Sequence, residues 1–419
     1  MEVSPGRASQ TNRWSLYEIA FTDWLACACA GRDARAAAAV RSCGDDLLTS
    51  VAFAATAGHV LDYDDTFSEG VAHVSATCAP ASLVLAAGLG RSLGEMLAAY
   101  DEAFEAMAEV AEASHPALYD AGWHPTAVCG SIGAAVAAAR LLALSPVERE
   151  NALAIAVLRA GGTRGAFGSD GKAIQVGQAA AAGVQAALLA RGGAIVGRRA
   201  IHGPLGFTGV LGAGWPFRDG AGDGGDRDHD GIGDRARLAT GGVGPLAIER
   251  NWIKLHPSCL GTHAPIDAAV QTREAGYRMG DERIEVRVHP VARQAAHLDA
   301  VGDGLSAKFS IPYCVAHTLL SRPPRVRDFT VLDAETAERA ALVEVGVDDS
   351  LPPFGAVLIV RGVELARVPC PRGAPDRPAT ASQLAEKVTE LAGDRLAGVF
   401  ADLDAPAALA IDAAQLACR

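Results

Sequence analysis

No stretch of the chain reaches the ~18 uninterrupted apolar residues that a membrane-spanning helix needs, so none is expected to cross a bilayer. The opening MEVSPGRASQTNRW has no apolar core of the signal-peptide kind, and a cytoplasmic location is the expectation. Basic residues are in deficit: 37 Lys and Arg against 49 Asp and Glu leave a formal net charge of −12. An acidic surface repels phosphate backbones, which argues against nucleic acid as a partner. It also means that a site for an anionic substrate must bring its own cations. Aromatic residues make up only 5% of the chain, which disfavours a sandwich or barrel of aromatic and β-branched strands. The nine cysteines are scattered, with no CxxC pair and no Cys/His spacing suited to a metal. Zinc and iron–sulfur chemistry therefore lack a visible ligand set, and reduced, mostly buried thiols are expected.

What is plentiful is alanine and glycine, whose small side chains let helices approach closely. At 419 residues the chain calls for two domains. From Leu16 to about Gly192 the apolar residues recur at helical spacing, and helices are expected over 92–113, 125–144, 146–160 and 173–191. Pro125 after His124, and Ser145-Pro146 followed by Glu148, mark two of the starts. Gly177, Ala181 and Gly183 give the last of these helices a flat face for a neighbour. The Gly/Asp-rich run 219–242 reads as a loop. After it, alternation predicts strands over 283–290, 341–347 and 355–363, with a helix over 311–320 between them. Helices return over 381–400 and 405–417. The expected fold is mainly α. A large, discontinuous all-α domain takes residues 1–245 and 378–419, and a smaller inserted α+β lid domain takes 250–375.

Four constellations carry residues with chemistry. In His59-Val-Leu-Asp62-Tyr-Asp64-Asp65-Thr66, a helix would place His59, Asp62 and Thr66 on one face. Three carboxylates so close need cations or donors nearby to stay ionised, although a helix-end capping cluster would also account for them. His73 follows within reach of Asp62 or Asp65. In Gly122-Trp-His124-Pro125-Thr126, proline at the first helical position leaves backbone N–H groups for an anion. His124 there either meets a substrate or caps its own helix. Lys172 lies in the Gly-rich Ser169-Asp-Gly-Lys172 turn before an apolar helix. The run from Lys254 through His256 and Cys259 to His263 gathers one lysine, two histidines and a cysteine. It lacks a second cysteine or acid at zinc spacing, and the proline after His256 weakens a Cys259–His263 nucleophile pair. A fifth stretch, Asp226 to Asp234, matches the front of a calcium loop, but Arg237 stands where the closing acid belongs.

Taken in order, these constellations resemble the MmgE/PrpD family. The resemblance rests on HVLDYDDT at 59–66, His73 to Ser75, GWHPTAVCGSIGAAVAAARLLAL at 122–144, the 169–192 run, IKLHPSCLGTHAPIDAA at 253–269 and AKFSIPYCVAHTLL at 307–320. It implies a helical domain with a smaller α+β lid domain, a homodimer, and chemistry without metal or other cofactor. It places His73, His124, Lys172, Tyr313 and Asp62 as catalytic residues, and Thr66, Lys254, Cys259 and His263 as substrate contacts, in a cleft between domains. Cys259 stands where decarboxylase-like members carry histidine. The reactions implied break a bond beside carboxylates through an enolate-like state: dehydration or decarboxylation of a small polycarboxylate. His73, oriented by Asp62, is the expected proton carrier, while Lys172 and Lys254 hold carboxylates. An epimerase using the same proton abstraction, and a catalytically silent carboxylate-binding protein, are the alternatives.

Overall fold

The computed structural model describes residues 6–217 and 245–416. The Asp-rich run 219–242, with its possible calcium loop, lies outside the described residues. The chain divides into two compact units. The first comprises Met1–Val60, Asp64–Asn251 and Ala385–Arg419, and the second Leu61–Tyr63 and Trp252–Leu384.

The first unit is helical: α1 Gly6–Gly31, α2 Arg35–Arg41, α3 Leu47–His59, α4 Ser75–Gly88, α5 Leu93–Ser114, α6 Ala117–Asp120, α7 Pro125–Leu141, α8 Pro146–Ala156 and α9 Gly171–Arg191. Local signals in the sequence set these boundaries. At α5, Ser92 Oγ accepts the Glu95 N–H while the Glu95 carboxylate accepts the Ser92 N–H, a reciprocal cap. Ser145 and Glu148 repeat it at α8 with Pro146 at the first position. Pro125 likewise opens α7. Asp46 starts α3 by accepting the Leu48 and Thr49 N–H groups.

Helix α7 is the axis of this unit, buried along almost its whole length and packed by α4, α5, α8 and α9. The small residues make that possible. A Cβ at Gly183 of α9 would sit 2.3 Å from the Ser131 carbonyl oxygen of α7, and one at Gly177 would sit 2.2 Å from Thr56 Oγ1 of α3. By length and composition α9 would pass for a membrane span, but its packing against α3, α7 and α8 accounts for its apolar character. Among the described residues the cysteines are free thiols, and most are buried.

The second unit holds a four-stranded mixed sheet in the order β2-β1-β3-β4: β1 Ile284–Val288, β2 Val343–Val347, β3 Ala356–Val360 and β4 Val363–Val368. β1 runs parallel to β2 (Val286 beside Val345) and antiparallel to β3 (Val286 beside Leu358). The helix His263–Glu274 packs on β3 and β4, and Ile311–Leu320 packs on that helix and on β2. The expected single strand over 355–363 is in fact the first arm of a hairpin. The chain turns at Arg361 and Gly362, both at positive φ (51° and 76°), and returns as β4. The mainly α fold is as expected, with one small sheet among the described residues.

Candidate active site

The expectation that His59, Asp62 and Thr66 share a helix face is corrected by the backbone. Helix α3 ends at His59, and the chain passes through a left-handed conformation at Asp62 (φ 51°). It then folds back on itself. Phe67 and Ala72 pair through two backbone hydrogen bonds around Val71, another positive-φ residue. This return brings His73 beside His59, with ring centroids 4.6 Å apart and nearly perpendicular. The His73 N–H donates to Thr126 Oγ1 at 3.0 Å, which ties the loop to the start of α7.

The orienting carboxylate also differs from expectation. Asp64, fully buried, lies 2.9 Å from His59 Nδ1 and 3.2 Å from His73 Nδ1, whereas the Asp62 carboxylate is committed to Lys254. Asp64, not Asp62, holds His73. Burial alone would raise the Asp64 carboxyl, but the two imidazoles outweigh it and hold the group well below the usual carboxylate range. Burial pushes His73 down to about 4, with Asp64 pulling up and His59 and Lys172 pushing further down. Near neutral pH, His73 is therefore a neutral imidazole whose Nδ1 lies 3.2 Å from an anionic carboxylate, which favours the tautomer with its proton on Nδ1. Its Nε2 then has the lone pair of a base.

The next acid has another fate. Asp65 Oδ2 accepts from Ser75 Oγ at 2.8 Å and from Asn251 Nδ2 at 2.7 Å. Ser75 is itself 2.5 Å from the Tyr100 hydroxyl. Burial, with buried Asp23 nearby, raises Asp65 to about 8, so it is protonated at neutral pH. Asp23 in turn is ion-paired with Lys387 at 2.6 Å. Thr66 is buried, and its hydroxyl lies 3.4 Å from the Ala72 carbonyl oxygen.

His124 does not cap its own helix: as the residue before Pro125 it makes no side-chain cap. Its Nδ1 lies 2.6 Å from Gln175 Nε2, and its ring packs edge-on against Phe167 at 4.9 Å. The His59 ring is 6.1 Å away. Lys172 sits in the first turn of α9, largely buried, with Nζ 5.3 Å from the centre of the Phe167 ring. The first unit thus gathers His59, Asp64, His73, His124, Lys172 and Gln175. His59, Asp64 and Gln175 were not among the residues expected to act. His59 and Asp64 are visible in the motif, but only the fold-back shows that Asp64 lies between two rings. Gln175 carries no signal in the sequence.

In the second unit, Lys254 Nζ donates to the Asp62 carboxylate at 2.7 Å and to its carbonyl at 2.6 Å, both residues being almost wholly buried. Lys308 donates to the carbonyls of Leu61 and Pro257. His256 meets Asp267 at 3.3 Å, and Asp267 also receives Arg377 at 3.1 Å. The His263 ring stands 5.0 Å from that of His256, with Nε2 3.3 Å from the Ser258 carbonyl. Burial, helped by His256 and Lys254, pushes His263 well below the usual histidine value. Cys259 does not share a helix with His263: a 3₁₀ turn over Leu260–Thr262 separates them. The Tyr313 hydroxyl accepts the Asp333 N–H at 3.2 Å, and burial raises the phenol.

His59, Asp64 and His73 each offer a ligand atom within 4.8 Å of the others' and are of the types that ligate divalent metals. Of these contacts, His59 Nδ1 to Asp64 has hydrogen-bond geometry, whereas His73 Nδ1 to Asp64 is an ion-pair contact at 3.2 Å. Comparison with known proteins now decides the family. The MmgE/PrpD N-terminal domain matches residues 45–219 and the MmgE/PrpD C-terminal domain residues 256–405. The chain belongs to the MmgE/PrpD family. The N-terminal match contains the whole cluster from His59 to Gln175, and the C-terminal match contains His256, Cys259, His263 and Tyr313. Among curated relatives, cis-aconitate decarboxylase from Homo sapiens is 33% identical over 137 residues, which is 32% of this chain. The same-named protein from Mus musculus is 32% identical over 137 residues. The chain spans 28% of the length of each of these relatives.

Proposed function

We propose that this family member is a lyase that acts on a small polycarboxylate, by dehydration or decarboxylation, with His73 as the proton carrier. The observation that carries the reading is the Asp64 carboxylate set between His59 Nδ1 and His73 Nδ1. A neutral imidazole backed by a carboxylate accepts a proton at Nε2 and is stabilised as imidazolium by the same carboxylate. In dehydration, His73 would take the proton from the carbon beside a carboxylate. The electron pair forms the double bond, and hydroxide leaves with a proton as water. In decarboxylation, the carboxylate leaves as CO₂, and the electron pair left on the carbon takes a proton that neutral His73 relays from water, leaving hydroxide to be neutralised by solvent. Lys172, a cation on an otherwise acidic chain, would bind a substrate carboxylate and offset the developing charge, an effect worth ~3–4 kcal/mol for a well-placed donor. Lys254, Cys259, His263 and Tyr313 are proposed as substrate-contacting groups of the second unit, and Thr66 of the first. The relatives named cis-aconitate decarboxylase favour a tricarboxylate. We further propose a cytoplasmic homodimer that uses no metal or other cofactor.

Incubation with aconitate, methylcitrate and related acids in D₂O tests this reading. A lyase yields water or CO₂ with a new or altered double bond. An epimerase instead exchanges the α-proton and returns the starting composition, while binding of an acid with neither outcome makes the chain a carboxylate-binding protein.

A further inference from the structure

Gln175 is the neighbour of His124 on the Nδ1 side, and its amide has a fixed orientation. Its Oε1 accepts the Thr163 N–H at 3.0 Å, while its Nε2 donates to the Thr163 carbonyl at 3.2 Å. Reversing the amide would set carbonyl against carbonyl and N–H against N–H, so one backbone residue reads both ends of the side chain. The same Nε2 group lies 2.6 Å from His124 Nδ1. An amide NH₂ can only donate, so Nδ1 must accept and cannot carry a proton.

The frame around this contact is rigid. The His124 N–H donates to the Gly162 carbonyl at 3.0 Å, and the Arg164 N–H donates to the Gly122 carbonyl at 2.9 Å. Trp123 and Thr163 are thereby paired as a short bridge. Gly162 has φ 120°, and a Cβ there would lie 2.7 Å from the Ala127 Cβ and 3.0 Å from Gln175 Oε1. Glycine at 162 is what lets the amide reach both Thr163 and the histidine.

We propose that Gln175 is a positioning residue that sets the tautomer of His124, holding it as a neutral imidazole with its proton on Nε2. His124 then offers the substrate a hydrogen-bond donor, and is barred from serving as a base. The neighbouring histidines are thereby given opposite roles. A carboxylate on Nδ1 leaves His73 a lone pair at Nε2, and an amide donor on Nδ1 gives His124 an N–H at Nε2. A protonated His124 would bring two N–H groups together at 2.6 Å, so the amide also opposes the imidazolium. An uncharged donor polarises a carboxylate or enolate oxygen without giving up its proton.

The functional part of this inference rests on the proposed polycarboxylate chemistry; the tautomer does not. Nitrogen-15 NMR of histidine-labelled protein, with His124 assigned by its loss in His124→Asn, reads the tautomer with no substrate present. The expected spectrum shows an unprotonated Nδ1 and a protonated Nε2 near neutral pH. A protonated Nδ1 in the parent overturns the proposal, whatever the enzyme turns over. The isosteric Gln175→Glu keeps an acceptor for Thr163 but presents a carboxylate to Nδ1, and is expected to move the proton to Nδ1 and lower kcat roughly 10²-fold with KM changed only a few-fold. Gln175→Met removes the donor without imposing the opposite tautomer, and is expected to fall between parent and Gln175→Glu. Loss of kcat, KM and thermal stability together, with Met as damaging as Glu, would mark a merely structural role and overturn the assignment.

Discussion

Three acids crowd the segment Asp62-Tyr63-Asp64-Asp65, and each ends in a different state. Asp62 is paired with Lys254, Asp64 is anionic between two imidazoles, and Asp65 is protonated beside Ser75 and Asn251. Their spacing announces a cluster but cannot assign the roles, because one left-handed residue at Asp62 and the turn at Val71 redirect the chain. Closeness in sequence points to Asp62 or Asp65 as the partner of His73, whereas the fold-back brings Asp64 there. Replacing Asp64 tests the corrected assignment. Asp64→Asn is expected to lower kcat about 10²–10⁴-fold. It should also shift the pH profile in a set direction. In the proposed chemistry His73 works as the neutral form, so kcat/KM should fall on the acid side near its value of about 4. The Asp64 charge raises His73, so the variant's acid limb should move to lower pH. A limb that stays put or moves upward would show that Asp64 does not face the titrating group.

At the level of elements, the helices were legible where a side chain or proline marks a start, as at Ser92, Pro125 and Ser145. Their ends were less so: α7 stops at Leu141, short of the expected 144, and the helix beginning at Ala381 stops at Ala392, short of 400. After Leu141 the apolar Leu142-Ala143-Leu144 carries the pattern past the last helical turn, whereas after Ala392 the stop falls at Gly393, at positive φ (60°), followed by Asp394 and Arg395. The β3–β4 turn falls at Arg361-Gly362, a break in the apolar run that the expected strand over 355–363 passes through. The flat face of α9 was read correctly at Gly177 and Gly183 and has a direct test. Gly183→Val would drive a branched side chain into the α7 backbone at Ser131. A loss of about 1–3 kcal/mol is expected in denaturant titration, with the midpoint lowered and the slope kept. A neutral result would mean that α7 and α9 do not approach as closely as described.

On the scale of the whole molecule, a net charge of −12 sets the problem that the site must solve. For the proposed polycarboxylate to approach an acidic protein, the cations that receive it must be few, local and protected. Lys172 and Lys254 are both buried and held by their own units, and composition alone foretold the need for such residues without saying where they lie. The family was legible because its motifs are local stretches of sequence. The division of labour proposed for this chain's histidines was not, because it depends on residues far apart in the chain, such as His124 and Gln175. The proposed chemistry depends on His73 as the proton carrier. The most direct measurement is the turnover, by parent and His73→Asn, of whichever polycarboxylate the parent converts. A loss of about 10²–10⁴-fold in kcat with substrate affinity and thermal stability retained is the expected result. Turnover by the variant equal to that of the parent would contradict it.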